Sequence, residues 1–294
     1  MANIELEKII LGHNPLFGVD HLSQEEGNTK ELKFEDKNLI TDVLLHASEL
    51  GVNAMMMSTH PRSEVVIDII RNEPKLANFT IYPLLPYIRK YVTKSNEKGM
   101  MNVLLEILGK ANFSQKFSLM LGGAKGILGR DINQVIKLLI DVEYMPFNGI
   151  NVGAIFIHDA LVDLALGLGA ESLLEAFRDH VEKKYGVPAG FITKNVQNFR
   201  EKVDKRGWKD YLVMASLNKS GFFVNPSLEA AVEAVEKPGM NFIAMSTLSG
   251  GAIKPDDAYK FLGEIPSVKS VVVGMSKKEH ISETVDAINK YIKD

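Results

Sequence analysis

The chain has 294 residues, 46% of them hydrophobic and 24% charged, with a formal net charge of −3. That composition suits a soluble protein with a sizeable core, and the weak negative charge gives no general attraction to nucleic acid or an anionic membrane. Zero cysteines exclude disulfides, thiolate metal centres and a cysteine nucleophile.

The first residues, Met1 to Lys8, carry acids where a signal peptide is basic. No run reaches the roughly 18 apolar residues that a membrane span needs. The expectation is a cytoplasmic protein with a small-molecule substrate, with no nucleic-acid or membrane partner. Oligomeric state has no signature in the pattern.

In chain order, the apolar run Ile9–Gly12 opens into the loop His13-Asn-Pro-Leu-Phe-Gly18-Val-Asp20-His21. A polar segment to Asp36 precedes a helical pattern in Leu39, Val43, Leu44, Ala47 and Leu50, closed by Gly51 where a C-terminal helix glycine belongs. The run Val52–Met57 ends in Ser58-Thr-His60-Pro61 and leads to a helix over Glu64–Asn72. Met55, Met56 and Met57 read as interior and wall of the fold. Next comes Phe79–Leu85, in which Pro83 ends the strand or makes it irregular.

Residues 87–129 break the rhythm and read as an insertion or lid. They hold a helical pattern over 103–108, an apolar run at 117–121, and Gly122-Gly-Ala-Lys125-Gly-Ile-Leu-Gly129, which lacks the Gly-Lys-Ser/Thr ending of a phosphate loop. Lys125 and Arg130 face solvent there, or belong to a lid that closes on an anionic substrate. Asp131 caps the next helix.

The run Gly153-Ala-Ile-Phe-Ile157 ends on His158-Asp159, before one long helical region over about 161–185. Four more strand-and-helix pairs follow: Ala189–Thr193 with Val196–Arg206, Tyr211–Ala215 with Ser227–Val235, Asn241–Met245 with Pro255–Leu262, and Ser270–Gly274 with Lys278–Ile292. Strands alternating with helices throughout predict a parallel sheet covered on both faces. Nine runs qualify as strands, so for an eight-stranded barrel either 117–121 is an insertion or the first run is a lid. An open doubly wound sheet is the alternative, but no Gly-x-Gly-x-x-Gly follows the first strand. The prediction is therefore one (β/α)8 TIM barrel over residues 1–294, with the insertion between its third and fourth strands.

Several strand tips carry a common pattern. Ser246-Thr-Leu248-Ser-Gly250-Gly251 follows the seventh strand, and Gly274-Met-Ser276-Lys277-Lys-Glu279 with Glu283 follows the eighth. Phe156-Ile-His158-Asp159 closes the fourth, and Gly51-Val-Asn53 with Arg62-Ser63-Glu64 frames the second. In this order the tips resemble those of the aldo-keto reductase superfamily, an eight-stranded barrel that binds NADPH at its C-terminal face. The resemblance implies NADP(H) held by Ser246, Leu248, Gly274, Ser276, Lys277 and Glu283. It also implies that His158 orients a substrate carbonyl. The family's other catalytic groups are a tyrosine acid, a lysine and an aspartate. Here the aspartate's place falls on Met56 or its neighbours, the tyrosine's near His60, and the lysine's on Leu84-Leu85. The tetrad is thus largely absent. Thr193-Lys194 stands at the fifth-strand Ser-Asn, and Met214 at the sixth-strand glutamine.

Carbonyl reduction needs a proton donor beside the developing alkoxide. With His158 and Asp159 on the face, that donor falls to His60 or to one of Tyr82, Tyr87 and Tyr91; His13 is a further catalytic candidate. His158 with Asp159 also suits a simple helix cap. Ser276 and Glu279 have the spacing of a capping box, a role compatible with anion binding by the same helix start. Two other functions fit the same tips. His13, His60 and His158 all end strands, and as neutral imidazoles they could hold zinc in a hydrolase or lyase. A barrel without the tetrad could also bind ligands without catalysis.

Overall fold

The computed structural model describes residues 4–20, 22–87 and 132–293. Its eight parallel strands close into a barrel in sequence order: β1 Ile9–Gly12, β2 Ala54–Ser58, β3 Thr80–Leu85, β4 Ile155–Ile157, β5 Ala189–Thr193, β6 Tyr211–Ser216, β7 Met240–Met245 and β8 Ser270–Gly274. The described helices before β4 are α1 Gln24–Lys33, α2 Lys37–Glu49, α3 Ser63–Asn72 and α4 Ile132–Tyr144. After β4 come α5 Asp159–Gly167, α6 Glu171–Tyr185, α7 Val196–Lys205, α8 Leu228–Glu236, α9 Pro255–Leu262 and α10 Lys278–Tyr291.

The first run is a barrel strand and not a lid. Ile9 through Gly12 pair with Val271 through Gly274, and Leu11 and Gly12 pair with Met55 and Met56. Eight strands therefore suffice without the run at 117–121, which lies outside the described residues. So do His21, Tyr91, Lys125, Arg130, Asp131, the glycine-rich 122–129 and all of the expected insertion except Tyr87.

Alternation along each strand sends one side chain inward and the next toward the helices. Ile10, Met56, Tyr82, Phe156, Ile192, Leu212, Met214 and Ile243 fill the barrel interior. Their neighbours Leu11, Met55, Met57, Ile81, Ile155, Phe191 and Val213 pack under the helices. Ile4 and Leu6 close the N-terminal end against the interior cluster, and Ser270 Oγ donates to Glu7 O at 2.6 Å there. At the helix layer, Asp141 joins α4 to α6. It accepts from His180 Nε2 at 2.7 Å and Tyr185 OH at 2.6 Å, and pairs with Lys184 Nζ at 2.6 Å.

Pro83 does not end β3, which runs on to Leu85. The irregularity falls on the ladder to β4. Ile81 N–H donates to Asn151 O at 2.8 Å, and Gly153 N–H donates to Ile81 O at 3.0 Å. The next donor on β3 would be residue 83, and proline has none. Between the Ile81–Val152 bridge and the Leu84–Phe156 pair, the β4 side carries one residue more than the β3 side, as in a bulge. This is why β4 begins at Ile155 and not at Gly153 as the sequence pattern predicts.

Three other expectations change. The polar segment before Asp36 contains α1, whose N-cap Ser23 accepts from Glu26 N–H. The single helix expected over 161–185 is two, starting at Asp159 and broken at Gly169, which has φ of +67°. The Ser276–Glu279 capping box does not form, because α10 starts one residue later with Lys277 at its N-cap and no side-chain cap bond.

Two interior glycines are required by packing. A Cβ on Gly190 would lie 2.3 Å from Phe156 Cε1, and one on Gly153 would lie 2.7 Å from Tyr82 Cζ. Gly190→Ala is expected to lower stability by about 1–3 kcal/mol through overpacking. Gly167→Ala, which would meet nothing within 4 Å, should change stability by at most about 1 kcal/mol, in the stabilising direction. Urea unfolding of both variants checks the contrast.

Candidate functional site

The site is built on the C-terminal tips, where strand ends become loops. His158 extends β4 by one residue: its N–H donates to Leu85 O at 3.3 Å, and its extended backbone opens α5 as N-cap. Its Nδ1 lies 2.6 Å from Asp159 Oδ1 and 3.2 Å from Ala160 N. A carboxylate only accepts, so the proton in the shorter contact belongs to Nδ1. Ala160 N–H then donates to Asp159 Oδ1 at 2.9 Å, so the aspartate does the capping. Nε2 is left on the far edge of the ring, an acceptor in neutral imidazole and a donor in imidazolium. The expected cap role and the presentation of a histidine on the face therefore coexist.

Asp159 is the electrostatic node. Burial pushes its pKa up, but His158, Lys194 and the Ala160 N–H outweigh that and hold it below the usual carboxylate value. Lys194 Nζ, at the tip of β5, lies 3.4 Å from Asp159 Oδ2. One helical turn on, Asp163 accepts from Thr193 Oγ1 at 2.5 Å and from Lys194 N–H at 3.1 Å. Burial and the charge of Asp159 still raise the pKa of Asp163. Sequence reasoning missed Asp163, although its spacing from Asp159 places the two carboxylates on one helix face.

Across the barrel, rings line the tips of β1 to β3. His13 sits 5.0 Å from Phe17, Phe17 stacks 5.0 Å from His60, and His60 meets Tyr87 edge-on at 5.7 Å. His60 Nδ1 accepts from Arg62 N–H at 3.1 Å, which in the neutral ring puts its proton on Nε2. The Arg62 guanidinium donates to Leu16 O at 2.8 Å and Glu31 O at 2.9 Å, fastening the first loop and α1 beside β2. Buried Glu143 of α4 accepts from Thr59 Oγ1 and from Tyr87 N–H.

The expected histidine metal centre does not assemble. His13 Nδ1 is 3.1 Å from Met56 O, and its Nε2 is 3.3 Å from Ser58 Oγ. His60 and His158 each engage Nδ1 locally. Among the described residues no three His, Asp or Glu side chains form a metal-holding group. Tyr82 is also misplaced as an acid. Its ring is buried in the barrel, and its hydroxyl accepts from Glu7 N–H at 3.4 Å, at the opposite end. Tyr87 remains at the face beside His60.

The β7 and β8 tips form the third sector. Ser246 and Ser249 have φ of +56° and +51°, and Gly250 and Gly251 have +73° and +97°. Ser216 Oγ donates to Ser246 Oγ at 3.1 Å, and the hydroxyls of Ser220 and Ser249 are 2.8 Å apart. Leu248 packs against the outer core. Ser276 is half-buried, while Lys277 and, within α10, Glu283 are exposed. The open side of Gly274 is filled by the first loop, since a Cβ there would lie 2.9 Å from Pro15 Cδ.

No protein-family model matches the chain, and no curated protein matches it by sequence. Solved structures do match. A Pseudomonas aeruginosa protein assigned to the aldo-keto reductases gives a TM-score of 0.60 at 13% identity, covering 97% of this chain and 90% of its own. The fold is that of the aldo-keto reductases. A thermostable aldo-keto reductase solved with the inhibitor epalrestat gives 0.59 at 11% identity, with 97% and 90% covered. An aldo-keto reductase from a Medee basin deep-sea metagenome library gives 0.54 at 14%, with 97% and 86% covered. Within this barrel, Met56 and Leu84 point to the interior near the β2 and β3 tips. Among the described residues, no helix is long and apolar enough to cross a membrane.

The depressed pKa of Asp159 has a sign that can be tested. Its stabilisation is fully present above the ordinary aspartate pKa and is lost as pH falls through the lower folded value. The stability difference between wild type and Asp159→Asn should be constant above about pH 5 and shrink below about pH 4. Denaturant unfolding across that range checks it.

Proposed function

We propose that the chain is an NAD(P)H-dependent oxidoreductase acting on a small carbonyl compound at the C-terminal face of the barrel. The reading is carried by one observation: His158, at a strand tip of an aldo-keto reductase fold, is held 2.6 Å from the half-buried Asp159 carboxylate. In it, the family's aspartate, tyrosine and lysine give way to Met56 or its neighbours, the surroundings of His60, and Leu84-Leu85, so proton handling falls to histidine. When bound, the nicotinamide cofactor supplies the hydride. His158, as imidazolium, directs Nε2–H at the carbonyl oxygen and gives up that proton as negative charge develops there. Asp159 keeps Nδ1 protonated and the imidazolium paired. His60, with its proton on Nε2, is the second donor on the face. Imidazole suits proton exchange at physiological pH because the ordinary histidine pKa lies close by.

The residues that would hold the cofactor are Ser246, Leu248, Ser276, Lys277 and Glu283. They fit an anionic dinucleotide. The left-handed backbone at Ser246, Ser249, Gly250 and Gly251 makes a tight turn at the β7 tip. The first turn of α10 has no side-chain cap beside exposed Lys277, so its N–H groups can meet an anion. Gly274 contributes the close packing of Pro15 in place of a contact. The metal-dependent alternative has no support from the histidine geometry. A cytoplasmic setting accords with a cysteine-free chain.

Titration with NADPH, followed by cofactor fluorescence, should saturate below about millimolar concentration, in the ordinary range for such ligands. Lys277→Glu should weaken it about tenfold, the scale of one charge-assisted contact. His158→Ala should leave cofactor affinity unchanged and lower turnover of an aldehyde by about 10²–10⁴-fold. No binding at millimolar NADPH overturns the proposal. Turnover undiminished in His158→Ala overturns the role of His158.

A further inference from the structure

We propose that Lys194 and Phe223 form a recognition pair for a carboxylate attached to an apolar group, and so select anionic carbonyl substrates. The inference rests on the C-terminal face being the reaction site, and it adds a substrate class. Lys194 is placed with more care than a surface lysine needs. Its backbone N–H is bound by Asp163 Oδ2 at 3.1 Å, Thr193 before it donates to Asp163 Oδ1 at 2.5 Å, and Asn195 N–H after it donates back to Thr193 Oγ1 at 3.0 Å. A helix carboxylate thus fixes the strand tip, while the lysine side chain stays 52% exposed. Its ammonium lies 3.4 Å from Asp159 Oδ2, a long contact for an ion pair, while the other oxygen of that carboxylate serves His158. An ammonium carries more donors than this one contact uses.

Phe223 supplies the apolar half. The Lys194 ammonium sits 5.6 Å from its ring centroid, within cation–π range. The ring is 45% exposed, and the residue has φ of +57°, a conformation that costs a non-glycine residue about 1 kcal/mol or more. It lies in the turn closed by Val224 N–H donating to Gly221 O at 3.1 Å, and its ring centroid is 4.1 Å from that of Phe222. The exposure is built in by Asn218, which is fully buried. Its Oδ1 accepts from Phe222 N–H and its Nδ2 donates to Phe222 O, both at 2.8 Å. Both ends of that amide are committed to the backbone immediately before Phe223, fixing the turn that presents the ring. A cation and a flat apolar surface are therefore held together on the rim next to His158, joined to it through Asp159. A carboxylate on Lys194 with its apolar substituent on Phe223 would bring a neighbouring carbonyl toward the His158 edge of the face.

Calorimetric titration of the full chain without cofactor tests this, using benzoate, benzamide and acetate as probes. Benzoate should bind more tightly than either of the others. Lys194→Gln should weaken benzoate about tenfold and leave benzamide unchanged, the scale of one charge-assisted hydrogen bond. Lys194→Arg should retain most of the benzoate affinity, and Phe223→Ala should weaken benzoate and benzamide alike. Benzoate binding no tighter than benzamide overturns the proposal. So does benzoate binding that Lys194→Gln leaves intact, including binding lost only in His158→Ala. The NADPH titration is independent of these probes, so failure of the reductase reading and failure of this one are distinguishable.

Discussion

The rings of Tyr82 and Phe156 occupy the space where Gly153 and Gly190 would carry their Cβ atoms, and the site is laid out above this contact. Each buried ring removes roughly 150–250 Å² from water, which at about 25 cal/mol per Å² is worth several kcal/mol. That exceeds the cost of about 1 kcal/mol for a glycine within a strand. The exchange favours the glycines, and they let two aromatic side chains close a narrow barrel. The same region carries the proline that interrupts the β3–β4 ladder. The strand that holds His158 is consequently short, bulged at its start and pinned at its tip through the backbone bond to Leu85.

Above that floor, one carboxylate organises the charge. Asp159 sits between His158 and Lys194, and its negative charge is felt again at Asp163. The two aspartates respond oppositely because their partners differ. Asp159 is hydrogen-bonded to an imidazole and feels the Lys194 ammonium, whereas at Asp163 burial and a like charge outweigh a hydroxyl, a peptide N–H and the same ammonium. A single helical turn thereby holds two carboxylates whose pKa values are pushed in opposite directions. The arrangement ties the tips of β4 and β5 into one network, and it fixes which edge of the His158 ring is engaged by Asp159.

The opposite rim is held by the first loop and α1. Pro15 lies against Gly274, Leu22 against Gly250, and Arg62 binds the carbonyls of Leu16 and Glu31. These contacts join the tips of β1, β2, β7 and β8 and carry the ring series that contains His60. Replacing Gly274 or Gly250 would press on this loop before it touched any ligand. The glycines at these tips are thus read first as packing positions.

Much of the fold was legible in the chain. The limits of β1, β5, β8 and α9 follow from apolar runs ending in glycine or polar tips, because a strand buried on both faces tolerates little else. His158 and Asp159 were legible as a tip for the same reason. Less visible were the features set by contacts between distant segments. Helix α1 is too polar to show a buried stripe, and the break at Gly169 lies inside a continuous apolar pattern. The start of α10 depends on backbone geometry that Ser276 and Glu279 do not reveal. Residue type and spacing determined a (β/α)8 barrel with a histidine on its C-terminal face. Only the tertiary structure decided that His13, His60 and His158 engage separate local partners, that Tyr82 faces the far end, and that Asp159 is shared with Lys194. The physical reason is that strand period fixes which way a side chain points, whereas hydrogen-bond partners are chosen by whichever segments the closed barrel brings within reach.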